Sequence, residues 1–345
     1  MQKISFRNLL SKKQFIIVVS FFFILMFILH NTYFTPNYYT GSSPQKFEIK
    51  SGENLNSIVE NLYARGIIPS KTNMKIIAFI YGAEQKFRAA RYEIPNGLNY
   101  LELVELFLSG KADYLRKIRV YDGSTVKSVA ATLKLDALID SSAFVEAACS
   151  KSFLDSLGIS AQSVEGYLLP GEYSIYERSD PREVIGIIHN EFKKFLRDSL
   201  NYDATQHKYA LHEIVILASI VEGETNKVSE MPTIAGVYYN RLRIGMKLQA
   251  DPTVQYLQPN GWRRLNHQDL KLDSPYNTYK YFGLPPGPIN NPGREALKAA
   301  FNPEQNKYLF FVADGTGGHS FAHNYSQHLK YVRDYKKWLA SQKEN

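Results

Sequence analysis

The segment HEIVILASIVEGET, residues 212–225, predicts a strongly apolar helix that ends in two carboxylates, Glu222 and Glu224. Glutamates at the end of a core helix usually lie in solvent, so this segment alone leaves a surface role open. Two positions along a helix correspond to about 200° of rotation, so the two side chains face different directions. Only one of them can therefore line a cleft, and Glu222 directly follows the apolar pair Ile220 and Val221.

Short polar blocks follow this helix. After a predicted helix over residues 237–242 come LQADPT at 248–253, YNTY at 276–279 and GLPPGPINNPG at 283–293. The last block has four prolines and three glycines, so it can form neither a helix nor a central strand. The Asn, Gln, Thr and Tyr side chains of these blocks offer neutral donors, acceptors and flat apolar faces, as a sugar-binding cleft requires.

An internal repeat lies upstream. FEIKSGENLNSI, residues 47–58, aligns with IRVYDGSTVKSV, residues 118–129. Each copy alternates apolar and polar residues, turns at glycine and then takes up helical spacing, which predicts a strand–turn–helix unit. Asn54 or Ser51 is expected to cap the first helix, and Ser124 the second. The first copy resembles a LysM-type sugar-binding module, and a small unit used only for packing stays open as the alternative.

The N-terminal sequence predicts a membrane anchor. Four basic residues precede an almost wholly apolar run, residues 15–29, and Tyr33 and Phe34 extend it with aromatics suited to a membrane interface. No small-residue cleavage pattern follows, which favours an uncleaved anchor over a removed signal peptide. The positive-inside rule then places the N-terminus in the cytoplasm and the chain after about residue 35 outside. The four basic residues are Lys3, Arg7, Lys12 and Lys13.

Composition excludes several classes of protein. The net charge is +8, but no Lys/Arg block, zinc-finger spacing or RNA-binding aromatic motif accompanies it, so no nucleic-acid partner is expected. The single cysteine, Cys149, allows no intramolecular disulfide. His319, His323 and His328 follow a loop and have no partner Cys or Glu motif, so no metal is expected. No cofactor is expected either, because phosphate-loop and dinucleotide fingerprints are missing from the sequence.

Six blocks in order resemble the YceG-like family, the endolytic murein transglycosylases. They are residues 218–225, 240–242, 248–253, 276–279, 283–289 and 317–321, and the anchor and LysM-like segment fit the same family. The resemblance implies a lytic cut between N-acetylmuramic acid and N-acetylglucosamine within peptidoglycan glycan strands, leaving a 1,6-anhydro end. It implies Glu222 as the essential glutamate. It also implies work beside the peptidoglycan synthases of elongation or division.

The chemistry of such a cut requires a single acidic residue. Most glycosidases use two carboxylates, but in a lytic cut the C6 hydroxyl of the substrate attacks C1. One residue, Glu222, can therefore protonate the leaving oxygen and later accept the C6 hydroxyl proton, and partial burial would raise its pKa accordingly. Thr225 or Ser219 is expected to hold the carboxylate. Asp251, if it lay about 5–9 Å from Glu222, would restore ordinary hydrolysis as an option.

The sequence thus predicts an α+β protein with one transmembrane helix, a LysM-like α/β region and an α+β catalytic domain. The expected segments are a cytoplasmic tail (1–14), a transmembrane anchor (15–34), a linker (35–45), a LysM-like subdomain (46–115), a second repeat-bearing subdomain (116–200) and, after a polar break at 201–208, a catalytic domain (201–345).

The protein is expected in the bacterial cytoplasmic membrane, with most of the chain outside. An inactive peptidoglycan-binding scaffold and a hydrolytic muramidase remain alternatives. Around Glu222, one groove with residues 283–293 on its rim is expected to contain the substrate-binding residues Asn240, Gln249, Asp251, Thr253, Tyr276, Asn277, Tyr279, His319 and Phe321.

Overall fold

The computed structural model describes residues 11–109, 112–203, 208–258 and 263–342, except the side chains of residues 31 and 32. Lys3 and Arg7 of the predicted basic flank lie outside the described residues, as does the middle of the predicted polar break. The chain divides into two compact units, Met1–Leu115 and Arg116–Asn345. Helices and short strands alternate in both, which confirms the predicted α+β class.

The first unit is a two-stranded sheet packed against helices. It contains α1 (Lys12–Tyr33), β1 (Gln45–Ile49), α2 (Leu55–Ala64), α3 (Lys71–Ile80), β2 (Ala90–Ile94) and α4 (Tyr100–Ser109). The antiparallel strands β1 and β2 pair Gln45 with Ile94 and Ile49 with Ala90. The core of the unit buries Phe47, Tyr92 and Phe107, whose rings contact one another.

Helix α1 is the one helix among the described residues that is long and apolar enough to cross a membrane, over Lys12–His30. Its apolar side chains are exposed all round, as a lipid-facing helix requires. Tyr33 was expected at a membrane interface, but it is buried in the hydrophobic cluster of the first unit. Phe34, next in the chain, stays exposed. The end of α1 is therefore part of the fold of this unit.

The second unit is mainly helical. It contains β3 (Leu115–Val120), α5 (Val126–Ala137), α6 (Ser141–Cys149), α7 (Lys151–Leu157), β4 (Gly171–Tyr176), α8 (Pro181–Asp198), α9 (Leu211–Glu224), α10 (Met231–Arg243), α11 (Asp251–Gln255), α12 (Arg294–Phe301), β5 (Phe310–Ala313), β6 (His319–Ala322) and α13 (Tyr325–Ser341). Strand β3 pairs with β4, and β5 pairs antiparallel with β6.

Helix α9 forms the centre of the second unit. Every residue from Ile214 to Val221 is buried, and α10, α11 and α12 pack around it. One hydrophobic cluster runs from Ile118 to Phe301, so a single core includes residues on both sides of the boundary predicted at residue 200. The functional division of this unit into two subdomains stays a prediction.

Both repeat copies form the predicted strand–turn–helix units, β1 with α2 and β3 with α5. The turns contain Gly52 and Gly123, whose φ angles of 78° and 73° favour glycine. Asn54 caps α2 as expected. The cap predicted for α5 is wrong: Thr125 caps it in place of Ser124, because the Thr125 side chain accepts a hydrogen bond from the backbone of Ser128.

Candidate active site

The carboxyl end of α9 carries the glutamate that the sequence singled out. Glu222 follows the buried residues of the helix and is itself half-buried. Its Oε2 accepts a hydrogen bond of 2.9 Å from the backbone N–H of Gly293, which precedes α12. The predicted holding residues Ser219 and Thr225 bond elsewhere, because Ser219 accepts from Ile289 N–H and Thr225 from Lys227 N–H.

A second carboxylate lies beside Glu222. Asp122 occupies the turn between β3 and α5, and a methyl group at Gly293 would lie 2.5 Å from Asp122 Oδ1 and 3.2 Å from Glu222 Oε2. The adjacent Gly123 contacts the Glu222 side chain as well, since its own added Cβ would be 3.7 Å from Glu222 Cγ. Glycine at position 293 is what lets the two acids share this space.

The surroundings of Glu222 shift its pKa. Desolvation is the largest cause that raises the pKa of Glu222, and the nearby charge of Asp122 raises it further. The Gly293 N–H acts in the opposite direction because it stabilises the ionised carboxylate. The balance raises the pKa of Glu222 above its ordinary value.

An open groove of about 420 Å³ lies over this pair. Apolar and charged groups both line it, including three acidic residues. The lining residues are Asp122, Glu222, Asn226, Val228, Met231, Gly293, Arg294 and Glu295.

A buried polar cluster supports the groove from below. Asn291 donates to Ser124 O and to Glu165 Oε1, and it accepts from the backbone N–H of Gly166. Backbone bonds also join Asn291 to Gly123 and Ser124. Glu165 is buried and accepts from Val126 N–H, and burial raises its pKa to about 8. This cluster fixes the turn that carries Asp122 against the loop that carries Gly293.

Asp122 is the functional candidate that the sequence reasoning missed. It was seen only as a member of the repeat, in which Ser51 occupies the same position of the first copy. The signal available in the sequence is that the second copy has an aspartate just before the turn glycine, where the first copy has a serine. A single repeat alignment gives no reason to associate that acid with Glu222, far away in the sequence.

Glu224 points away from Glu222, as expected. It accepts a hydrogen bond from Tyr238, and burial raises its pKa to about 7. Asp251 contributes to this raised pKa and accepts a hydrogen bond from Tyr279. Asp251 and Tyr279 thus belong to the surroundings of Glu224, and a role for Asp251 beside Glu222 stays a prediction.

Gly223, between the two glutamates, has a packing role that the sequence did not reveal. A Cβ at Gly223 would lie 2.6 Å from the Cβ of Pro252 in α11. Only glycine at this position allows α11 to approach α9 so closely, so a side chain here would separate the two helices.

Two of the predicted substrate-binding residues are buried in the structure. Asn277 and Thr253 are fully buried, with 0% of each residue exposed. Asn277 donates to the backbone carbonyls of Leu270 and Leu272, and Thr253 bonds to Ala250 O and Thr278. Their polar groups satisfy backbone carbonyls, and their role in substrate binding stays a prediction.

The other predicted substrate-binding residues have different neighbours in the structure. Asn240 donates to backbone carbonyls of Asn306 and Tyr308. Gln249 is exposed, at a positive φ of 49°. Tyr276 packs against Tyr256 and would contact any side chain at Gly287.

Towards the C-terminus, His319 Nδ1 lies 2.8 Å from Glu230 Oε2. Phe321 packs against Phe311 and Tyr308. Glu222 is a predicted site residue that lines the groove over Asp122 and Gly293. The assembly of the predicted site residues into one groove around Glu222 stays a prediction.

Known proteins resemble this chain over most of its length. An endolytic murein transglycosylase of Bacillus subtilis is 29% identical over 308 residues, which cover 83% of each chain. One of Streptococcus pneumoniae is 28% identical over 323 residues, covering 83% of this chain and 57% of the relative. The crystal structure of a YceG-like protein of Listeria monocytogenes, 27% identical, covers 84% of this chain and 99% of its own with a TM-score of 0.57. The family model described as the YceG-like family matches residues 47–334, so the chain belongs to the YceG-like family.

Proposed function

We propose that this protein is an endolytic murein transglycosylase that cuts peptidoglycan glycan strands. The names of the relatives from Bacillus subtilis and Streptococcus pneumoniae support the reaction class. The observation that carries the proposal is the half-buried Glu222, held by Gly293 N–H at an open groove with Asp122 beside it. An acid with a raised pKa and access to solvent can donate a proton to a bound polymer.

In the proposed reaction, protonated Glu222 gives its proton to the oxygen that links C1 of N-acetylmuramic acid to N-acetylglucosamine. The C1–O bond breaks, and N-acetylglucosamine leaves with a new hydroxyl. The C6 hydroxyl oxygen of the same muramic acid forms a bond to C1, and the Glu222 carboxylate accepts the hydroxyl proton. Glu222 is then protonated again, no water is consumed, and the product ends in 1,6-anhydromuramic acid.

Asp122 assists this reaction without transferring a proton. Its negative charge raises the pKa of Glu222 and so favours the presence of the proton on Glu222 before the cut. The same negative charge stabilises the positive charge that develops at C1 as the bond breaks. The carboxylate of Asp122 is in place before the reaction begins, so it does not have to reorient as charge develops. Such preorganisation is the usual source of electrostatic catalysis.

A hydrolytic muramidase is the second candidate, because Asp122 provides a second carboxylate beside Glu222. Glycosidases that use water need such a second carboxylate as base or nucleophile. Mass spectrometry of the products from purified glycan strands separates the two reactions, since anhydro ends lack one water of mass. Ordinary reducing ends would refute the intramolecular attack and leave Asp122 as the candidate base. Binding of strands without any cutting would favour the inactive scaffold.

The proposal includes a membrane location. Helix α1 would anchor the chain in the bacterial cytoplasmic membrane, with both folded units on the extracytoplasmic side, supported by its length and apolar exposure. A reporter fused to the C-terminus should be active only outside the cytoplasm. Release of a soluble form that begins near residue 31 would contradict the anchor. Work beside peptidoglycan synthases is implied by the family resemblance, and co-purification from crosslinked membranes would test it.

A further inference from the structure

An exposed apolar patch lies at the end of α3. It consists of Ile76, Phe79, Ile80 and Tyr81, which are 39%, 69%, 64% and 44% exposed, and is called the α3 patch below. Positions 76, 79 and 80 share one face of the helix because they are three and four residues apart. The opposite face buries Met74 and Ile77 in the core, so the fold of the unit does not require the exposed face to be apolar.

The α3 patch lies on a helix that contacts α1, the candidate transmembrane helix. Helix α3 contacts α1, and Tyr33 in the last turn of α1 is buried in the same hydrophobic cluster as Met74 and Ile77. Helix α3 is therefore a direct neighbour of α1 within the same unit.

The connection between α1 and this unit is firmly held. Asn37 N–H donates to Leu98 O, and Asn37 O accepts from Gly97 N–H, each at 3.0 Å. The Tyr39 hydroxyl donates to Ile94 O at 2.6 Å, and Tyr39 is buried. The segment predicted from sequence as a linker is thus packed against this unit at Asn37 and Tyr39.

The surroundings match a lipid headgroup region. Phe34 and Tyr38, just after α1, are 51% and 76% exposed, and aromatic residues favour membrane–water interfaces. The exposed Lys86 lies over the turn that follows Tyr81, since its Nζ would be 3.6 Å from a Cβ at Gly82. A lysine beside exposed aromatic and aliphatic side chains suits an anionic lipid surface.

We propose that the α3 patch lies in the headgroup region of the extracytoplasmic leaflet and is a second membrane contact beside α1. The inference rests on the proposed membrane anchor. The contact of α3 with α1 and the neighbouring Lys86 favour lipid over a protein partner as the occupant. The contact would hold the first unit against the bilayer and stop it from tilting about the end of α1.

Depth-dependent fluorescence quenching tests this in the full-length protein. In a Cys149→Ser background, single cysteines are introduced by Ile80→Cys, by Phe79→Cys, by Phe22→Cys in α1 and by Leu135→Cys in α5, and each is labelled with a polarity-sensitive dye. Leu135 is the control, since it is a helical residue that is 80% exposed. The protein is reconstituted in phosphatidylethanolamine–phosphatidylglycerol vesicles that carry a nitroxide either near the headgroup or near the acyl terminus.

The labels at 79 and 80 should show blue-shifted emission and stronger loss of fluorescence with the shallow nitroxide than with the deep one. The label at 22 should respond most to the deep nitroxide, and the label at 135 to neither. Labels at 79 and 80 that behave like the one at 135, with 22 quenched, would refute the patch and leave the anchor intact. A blue shift without quenching would mean that protein covers the patch and would refute it also. An unquenched label at 22 would refute the anchor itself.

Discussion

Replacing Glu222 by glutamine is the most direct test of the proposed reaction. Glu222→Gln keeps the size of the side chain, and its amide oxygen can still accept the 2.9 Å hydrogen bond from Gly293 N–H. Such a bond contributes about 1 kcal/mol, so the geometry of the groove should survive. The amide has no proton to give to the leaving oxygen. Loss of general acid–base catalysis typically lowers the rate about 10²- to 10⁴-fold, which corresponds to roughly 3–5 kcal/mol of barrier.

The assay measures initial rates of cutting on purified glycan strands by chromatography and mass spectrometry. Thermal melting and strand binding are measured on the same samples. The matched control is Glu224→Gln, two residues along the same helix, whose amide oxygen can keep the hydrogen bond from Tyr238. It should change the rate far less. Near-normal cutting by Glu222→Gln, or an equal loss in both variants at unchanged stability, would refute Glu222 as the proton donor.

Three further substitutions probe the groups around Glu222. Asp122→Asn removes a charge that raises the pKa of Glu222, so the alkaline fall of the pH–rate profile should move to lower pH; an unmoved profile would contradict the pairing. Gly293→Ala would place a methyl group 2.5 Å from Asp122 Oδ1, and the displaced acids should lower kcat on the order of 100-fold in the same strand assay, whereas a normal kcat would contradict the shared space. Burial raises the pKa of Glu165 from 4.5 to about 8, so the stability it contributes is complete below pH 4.5 and is lost as the pH rises to about 8. Melting temperatures should fall across that window, and Glu165→Gln should flatten the fall; an unchanged slope would contradict the assignment.

Elements whose signal lies within a few residues could be predicted from the amino-acid sequence. The apolar run before Glu222 predicted a core helix, and the structure buries it as α9. The glycine-centred repeat predicted two strand–turn–helix units, and both exist. Hydrophobic spacing and turn residues act over a few positions, so one sequence is enough to recognise them. The opposite directions of Glu222 and Glu224 follow from helix geometry in the same way.

Polar residues in loops could not be assigned from their type alone. Asn277 and Thr253 carry donors and acceptors that suit sugar binding, but the same groups can satisfy buried backbone carbonyls, and the sequence does not show that both residues are buried. Tyr33 is a similar case, since an aromatic residue after an apolar run suits a membrane interface and a core equally well.

The pairing of Asp122 with Glu222 was decided by the tertiary structure. Asp122 follows β3 and Gly293 precedes α12, and the two come together through the bonds between Asn291 and the turn at Gly123 and Ser124. No local pattern encodes that contact, because it depends on how a buried amide organises segments far apart in sequence. The position of Glu222 at the end of a helix could therefore be predicted from the sequence. The proximity of Asp122 to Glu222 and the hydrogen bond from Gly293 exist only when distant segments pack in one core.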